Sequence, residues 1–166
     1  INCGKGLEAL FDDKAPPGID DIEIELPGKN NIVYVSLSGK ENNPGTKLSP
    51  LQTIQAGIQL AQTKSFDAVY VSGGLLNLEN NFITPSNGIE LYGGFSTNFK
   101  TRDNETIIQT TSSSNGLSDN PNKTIYFNST IDNSTILDGF TIFGGGGDYS
   151  AGIFIDGGSP IIQNCK

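Results

Sequence analysis

Short apolar or alternating runs, separated by glycines and other turn formers, dominate the chain after residue 66. Each run has the length and composition of a β-strand, and two-residue hairpin turns are scarce between them. This pattern favours many short strands over a few long hairpins. The predicted strands are Ala68–Ser72, Gly88–Tyr92, Thr106–Gln109, Thr124–Phe127, Thr135–Phe143, Gly152–Ile155 and Pro160–Cys165.

A further strand and a turn are predicted ahead of these runs. Residues Ile32–Ser36 alternate apolar with polar or small side chains, which indicates a strand. The turn follows at Asn42–Thr46, because Pro44 fixes φ and Gly45 accepts a positive φ. The turn therefore ends this strand before the next element begins.

An amphipathic helix is predicted after the turn. Serine is a favoured N-cap residue and proline is favoured at the first helical position, so Ser49 and Pro50 predict the start of the helix. Apolar residues then recur at helical spacing, which lets one side of the helix lie on a core. The apolar stripe consists of Leu51, Ile54, Ile58 and Ala61.

The segment 1–30 differs from the rest of the chain. It contains Pro-Pro and Pro-Gly pairs, two acidic patches and one alternating run at Ile22–Leu26. This composition predicts a leader or tether with one edge strand. The sequence therefore divides into a leader at 1–30, a strand, loop and helix at 31–66, and a region of short strands at 67–166.

The later strands repeat at a period in the twenties. Ile136–Phe140 aligns with Ile161–Cys165 at an offset of 25, with apolar residues on apolar residues and turn formers on turn formers. Thr124–Phe127 aligns with Gly152–Ile155 at an offset of 28. Such periods are typical of coiled solenoids, in which each turn stacks on the one before. Cys165 then takes the inward position that Phe140 holds one turn earlier.

Three segments in the same order resemble a known family. They are YVSLSGKENNPGTKLSPLQTIQAGIQLA, IELYGGFSTNFKTRD, and LDGFTIFGGGG with the following AGIFIDGGSPIIQNCK. Together they resemble the right-handed parallel β-helix proteins of the pectate-lyase-like superfamily, and most of all its bacterial cell-surface members. The resemblance implies an all-β fold, a right-handed parallel β-helix with an N-terminal capping strand and α-helix. No C-terminal cap is visible, so we expect a coil truncated at its C-terminus, or one whose last rung is buried against a partner.

Composition and charge narrow the function classes. The formal net charge is -8 and Arg102 is the single arginine, which argues against binding to nucleic acid or to an anionic membrane. The chain has no histidine, which excludes Ser-His-Asp and Cys-His catalysis and the ordinary zinc sites. No apolar run approaches the roughly 20 residues of a membrane span.

The resemblance also implies a candidate metal site. Lyases of this superfamily bind Ca²⁺ through acidic side chains and use an Arg or Lys as base, so Asp138 and Asp156 are the best candidates for metal contact. Both stand in Asp-Gly dipeptides, where a structural turn is the alternative. We expect Arg102 to lie in a structural loop far from these acids. No other cofactor is expected.

Two further residues are candidates for contacts outside the domain. Ile1-Asn2-Cys3 resembles a bacterial lipoprotein attachment site, so Cys3 is a candidate for lipid attachment, with an unmodified cysteine as the alternative. Five tyrosines could stack on sugar rings or pack in the core. Of these, Tyr149 lies in a glycine-rich stretch and is the best candidate for carbohydrate contact.

Three functions stay open at this point. The first is a non-catalytic β-helix module of the bacterial cell envelope, or a secreted one, that binds or scaffolds a polysaccharide or a surface protein. The second is a calcium-dependent polysaccharide lyase or glycoside hydrolase, and the third is a structural stalk. The only membrane contact expected is through a lipid anchor, and an uncapped last rung predicts a homodimer.

Overall fold

The computed structural model describes residues 29–78, 81–111, 122–144 and 150–166. These segments form ten strands and one helix. In chain order the elements are β1 (Ile32–Val35), α1 (Ile54–Lys64), β2 (Ala68–Ser72), β3 (Gly74–Asn77), β4 (Glu90–Phe95), β5 (Thr106–Gln109), β6 (Asn122–Phe127), β7 (Ile136–Asp138), β8 (Phe140–Phe143), β9 (Ser150–Ile155) and β10 (Ile161–Gln163). Over the same residues, no helix is long and apolar enough to cross a membrane.

The strands form three sheets in which every named pair is parallel. The orders are β1-β2-β4-β7-β10, β3-β5-β8 and β6-β9. A β-rich fold with one helix and parallel sheets is therefore confirmed. Pairing between β7 and β10 joins Ile136 to Ile161, and pairing between β6 and β9 joins Ile125 to Ile153. These are the registers that the two sequence repeats predicted.

Two strand predictions need correction. The run Thr135–Phe143 is two strands, because Gly139 takes φ +77° and turns the chain from the five-stranded into the three-stranded sheet. Strand β3 was missed, since Gly73 and Gly74 at its start are typical of a turn. In contrast, β2 and β5 have the predicted bounds.

The predicted start of the helix is also wrong. Helix α1 begins at Ile54, and its N-cap is Thr53, whose hydroxyl accepts a hydrogen bond from the Ala56 amide at 3.3 Å. Leu51 is extended instead of helical, because its amide donates to the Tyr34 carbonyl and its carbonyl accepts from the Ser36 amide, both at 2.9 Å. The segment ahead of the helix therefore covers the free edge of β1. The predicted stripe of Ile54, Ile58 and Ala61 is buried.

The core has two parts. The larger cluster holds the apolar stripe of α1 and the inward residues of all three sheets. The smaller cluster lies on the opposite face of the five-stranded sheet, where Tyr34, Tyr70 and Tyr92 stand in register on three successive strands and pack with Phe95 and Phe99. These three tyrosines therefore pack within the fold, which is the structural alternative that the sequence offered.

Some predictions fall outside the described residues. They are the edge strand at Ile22–Leu26, the lipid attachment candidate Cys3 and the carbohydrate candidate Tyr149.

Candidate functional site

A cleft with a volume of about 290 Å³ lies where β4 and β7 end and β5 and β8 begin. We call it the corner cleft. Glycine backbone forms part of its wall. Acidic and basic side chains and two asparagine side chains line much of the rest. Its polar and charged lining residues are Arg102, Asn104, Glu105, Asp138, Thr141, Asn164 and Lys166.

Arg102 joins two neighbouring strands at this corner. Its Nε donates to the Gly93 carbonyl at 2.7 Å, and its Nη2 donates to the Asp138 carbonyl at 3.0 Å and to Asp138 Oδ1 at 2.5 Å. The guanidinium also lies over the rings of Tyr92 and Phe95, at 5.4 and 5.7 Å from their centroids. The expectation that Arg102 lies far from the candidate acids is therefore wrong for Asp138. The loop that carries Arg102 packs against the end of β7, and the separation of Arg102 from Asp138 along the chain does not reveal this contact.

Asp138 is the most heavily bonded carboxylate of the corner cleft. Besides Arg102, it accepts hydrogen bonds from Gln163 Nε2 at 2.6 Å and from Asn164 Nδ2 at 3.3 Å. Burial alone would raise the pKa of Asp138, but these hydrogen bonds and the charge of Arg102 outweigh burial and lower the pKa from its ordinary value. With only 4% of its surface exposed, the side chain holds three segments of the chain together.

The glycines at the corner make room for this contact. A Cβ on Gly139 would collide with the Arg102 guanidinium, and a Cβ on Gly93 would lie 2.7 Å from the Gly139 carbonyl oxygen. Residues larger than glycine at these two positions would push the strands apart or displace Arg102. The Gly-Gly and Asp-Gly pairs of the sequence therefore serve the close packing of this corner.

The exposed side of the corner cleft is polar and retains hydrogen-bonding capacity. Glu105 Oε1 accepts from the Thr141 hydroxyl at 2.7 Å and lies 3.7 Å from Lys166 Nζ. Among the residues that the structure describes, Glu105 Oε2, the Asn164 side-chain carbonyl and Arg102 Nη1 make no hydrogen bond. The corner cleft therefore offers both donors and acceptors to a ligand.

Asp156 lies elsewhere, beside a group of outward-facing rings on the two-stranded sheet. Its Oδ2 accepts a hydrogen bond from the Tyr126 hydroxyl at 3.1 Å. This hydrogen bond is the main cause of a raised pKa of Tyr126, and desolvation of the phenol and the negative charge of Asp156 add to the rise. The Tyr126 ring stacks on Phe154 at 5.9 Å between centroids and meets Phe82 edge-on at 6.2 Å. We call Phe82, Tyr126 and Phe154 the aromatic patch.

Strand alternation explains why the aromatic patch faces outward. Ile125 and Phe127 are buried in the core, so Tyr126 between them points to the other face of the sheet. Ile83 pairs with Ile125 in an isolated bridge and is itself buried, which places Phe82 beside β6. Phe82 is 39% exposed and Phe154 36% exposed. Both rings are therefore accessible to a ligand.

A buried ammonium group supports the aromatic patch. Lys123 Nζ lies 3.9 Å from the centroid of the Tyr126 ring and 4.8 Å from that of Phe82. Lys123 itself is 7% exposed, so its side chain is largely shielded from solvent. Cation–π attraction of this kind stabilises the ring positions.

The two metal candidates are thus placed in different surroundings. Asp138 ends β7 in the five-stranded sheet, and Asp156 follows β9 in the two-stranded sheet. Within the described segments, no group of three or more Cys, Asp or Glu side chains could hold a metal ion. The pairing of Asp138 with Arg102 favours the structural alternative for that residue, and Ca²⁺ binding stays a prediction.

Sequence reasoning missed several residues of these sites. The overlay of Thr124–Phe127 on Gly152–Ile155 already places Tyr126 on Phe154, which is a signal for an aromatic stack. For Phe82 the local sequence carries no such signal, because its neighbours form only an isolated bridge. The contact of Arg102 with Asp138 likewise had no local signal.

Comparison of the chain with known proteins gives no matching family model, no matching curated protein and no matching solved structure. The resemblance to the pectate-lyase-like superfamily therefore stays a prediction from its motifs.

Proposed function

We propose that the protein is a non-catalytic binding or scaffold module, built as a right-handed parallel β-helix, that contacts carbohydrate through the aromatic patch. The support for the coil is the order in which the chain visits the sheets. The chain forms β4 in the five-stranded sheet, β5 in the three-stranded sheet and β6 in the two-stranded sheet. Strands β7, β8 and β9 then follow in the same order of sheets. Parallel strands joined by crossovers are right-handed in about 98% of cases, which supports the handedness.

The observation that carries carbohydrate contact is the aromatic patch itself. A pyranose ring has a face of C–H groups, and such a face packs favourably on the π surface of an aromatic ring. The half-exposed Phe82 and Phe154 offer that surface, while Asp156 and the Tyr126 hydroxyl lie beside it for bonds to sugar hydroxyls. This combination of apolar rings and adjacent polar groups fits a polysaccharide chain.

The state of Asp138 supports a non-catalytic role. A general acid of a hydrolase must hold a proton near neutral pH, whereas the pKa of Asp138 is lowered and its carboxylate is bonded to Arg102. Arg102 is likewise bound to the Gly93 carbonyl and to the carbonyl and carboxylate of Asp138, where it joins neighbouring strands. The alternative, a calcium-dependent lyase or hydrolase, predicts Ca²⁺ binding in calorimetry and release of unsaturated or shortened products.

We further propose that the module acts at the bacterial cell envelope or as a secreted protein. The support is the resemblance of Ile1-Asn2-Cys3 to a lipoprotein attachment site and of the later segments to cell-surface proteins. A lipid on Cys3 would anchor the domain to the membrane. Detergent phase partitioning of the native protein tests the anchor, and recovery in the aqueous phase alone would exclude it.

Affinity electrophoresis in gels that contain neutral or acidic polysaccharides tests the aromatic patch. We expect at least one polysaccharide to retard the wild-type protein, and Phe154→Ala and Phe82→Ala to weaken retardation about tenfold, since each removes about 1.5 kcal/mol of apolar contact. Leu75→Ala is the matched control, because it removes an exposed apolar side chain from the three-stranded sheet. Equal retardation of all variants would contradict the proposal. A stalk predicts no retardation at all.

A further inference from the structure

We infer that the corner cleft is a second binding site, which takes a single neutral sugar residue, such as the end of a glycan chain. The inference rests on the proposed carbohydrate contact, but it concerns different residues. The corner cleft lies where the five-stranded and three-stranded sheets meet, whereas the aromatic patch lies on the two-stranded sheet.

The size of the corner cleft sets the size of the ligand. Its volume of about 290 Å³ is at the lower end of the range for small-molecule sites, which is roughly 300 to 1,000 Å³. A site of this size holds one ring and its substituents rather than several sugar residues. The aromatic patch, as an open surface, sets no such limit.

The charges of the corner cleft are balanced. Arg102 is paired with Asp138 at 2.5 Å, and Lys166 lies 3.7 Å from Glu105. An anionic ligand would meet the two carboxylates, and a cationic ligand would meet the two basic groups. A neutral ligand avoids both penalties.

The hydrogen-bonding groups of the corner cleft suit hydroxyls. Within the described residues, Arg102 Nη1 is a donor without a partner, and Glu105 Oε2 and the Asn164 side-chain carbonyl are acceptors without one. A hydroxyl both donates and accepts, so neighbouring hydroxyls of one sugar ring can satisfy donors and acceptors together. A carboxylate only accepts hydrogen bonds and an ammonium group only donates them, so either one could satisfy only the donors or only the acceptors of the cleft.

NMR titration of the ¹⁵N-labelled chain with D-glucose, D-galactose and D-mannose tests the inference. We expect at least one of them to give saturable shifts of the amides of Asn104, Thr141 and Asn164, and sodium acetate to give none. Glu105→Gln removes the charged acceptor and should weaken the affinity about tenfold, as the loss of a hydrogen bond to a charged group does. The matched control is Glu41→Gln, since Glu41 is an exposed glutamate outside the corner cleft.

Other results would overturn the inference or separate it from the proposed function. Shifts with acetate but not with sugars would mean an anion site. If sugars shift only amides of the aromatic patch, or if polysaccharide retardation is seen without any shift in the corner cleft, this inference fails while the proposed function stands. If sugars still shift the corner-cleft amides of Phe154→Ala, the inference is supported. If polysaccharide also retards that variant as much as the wild type, the role of the aromatic patch is contradicted.

Discussion

At the scale of single residues, the contact between Arg102 and Asp138 has the greatest structural consequence. It joins a loop, the end of β7 and, through Gln163 and Asn164, the last strand of the five-stranded sheet. Arg102 and Gln163 are far from Asp138 along the chain, on opposite sides of it. Stability at this corner therefore depends on one ionised carboxylate.

This dependence predicts a response to acid. The pKa of Asp138 is lower in the folded chain than in the unfolded one, so Asp138 contributes fully to the free energy of unfolding above the unfolded pKa of about 3.9. This contribution is lost as the pH falls through the folded pKa. Asp138→Asn should lower the free energy of unfolding by about 2 kcal/mol at pH 7. The difference from the wild type should shrink below about pH 4.

Urea unfolding between pH 2.5 and 7 measures this effect. Asp103→Asn is the control, because Asp103 is an exposed carboxylate in the same loop and should change stability little. A difference between wild type and Asp138→Asn that does not vary with pH would show that the charge of Asp138 is not responsible.

At the scale of elements, the helix shows how pairing overrides a local signal. Ser49-Pro50 is a good helix start by sequence, but the backbone of Leu51 pairs with β1 and cannot also be helical. Thr53 becomes the N-cap instead. We expect Thr53→Ala to destabilise the protein by about 1 kcal/mol and Ser49→Ala to change stability by less than about 0.5 kcal/mol. Thermal or urea unfolding of the two variants compares them directly, and a larger effect at Ser49 would contradict this cap.

At the scale of the whole molecule, apolar side chains are exposed on one edge of each sheet. Strands β8, β9 and β10 are edge strands, and the exposed large residues on them include Phe143, Ile155, Ile161 and Ile162. Such edges favour pairing with another chain. We propose that two copies associate through them, which is the homodimer that the sequence predicted.

Light scattering at increasing concentration tests this association. We expect a dimer mass for the wild type and a monomer mass for Ile162→Lys, since a charge on this surface opposes its burial. The control Leu75→Lys places the same charge on an exposed residue of β3, away from these edges, and should remain dimeric. Monomers at every concentration would rule out the dimer.

The sequence by itself determined the features that depend on local patterns. Strand alternation and the spacing of apolar residues predicted most strands, the buried stripe of α1 and the registers of both repeats, because these follow from side-chain periodicity. Only the tertiary structure decided which distant side chains meet. The pairing of Arg102 with Asp138, the position of Phe82 beside Tyr126 and the choice of Thr53 as N-cap all depend on how separate segments stack. Stacking is set by contacts between segments far apart in the chain, and no local pattern records them.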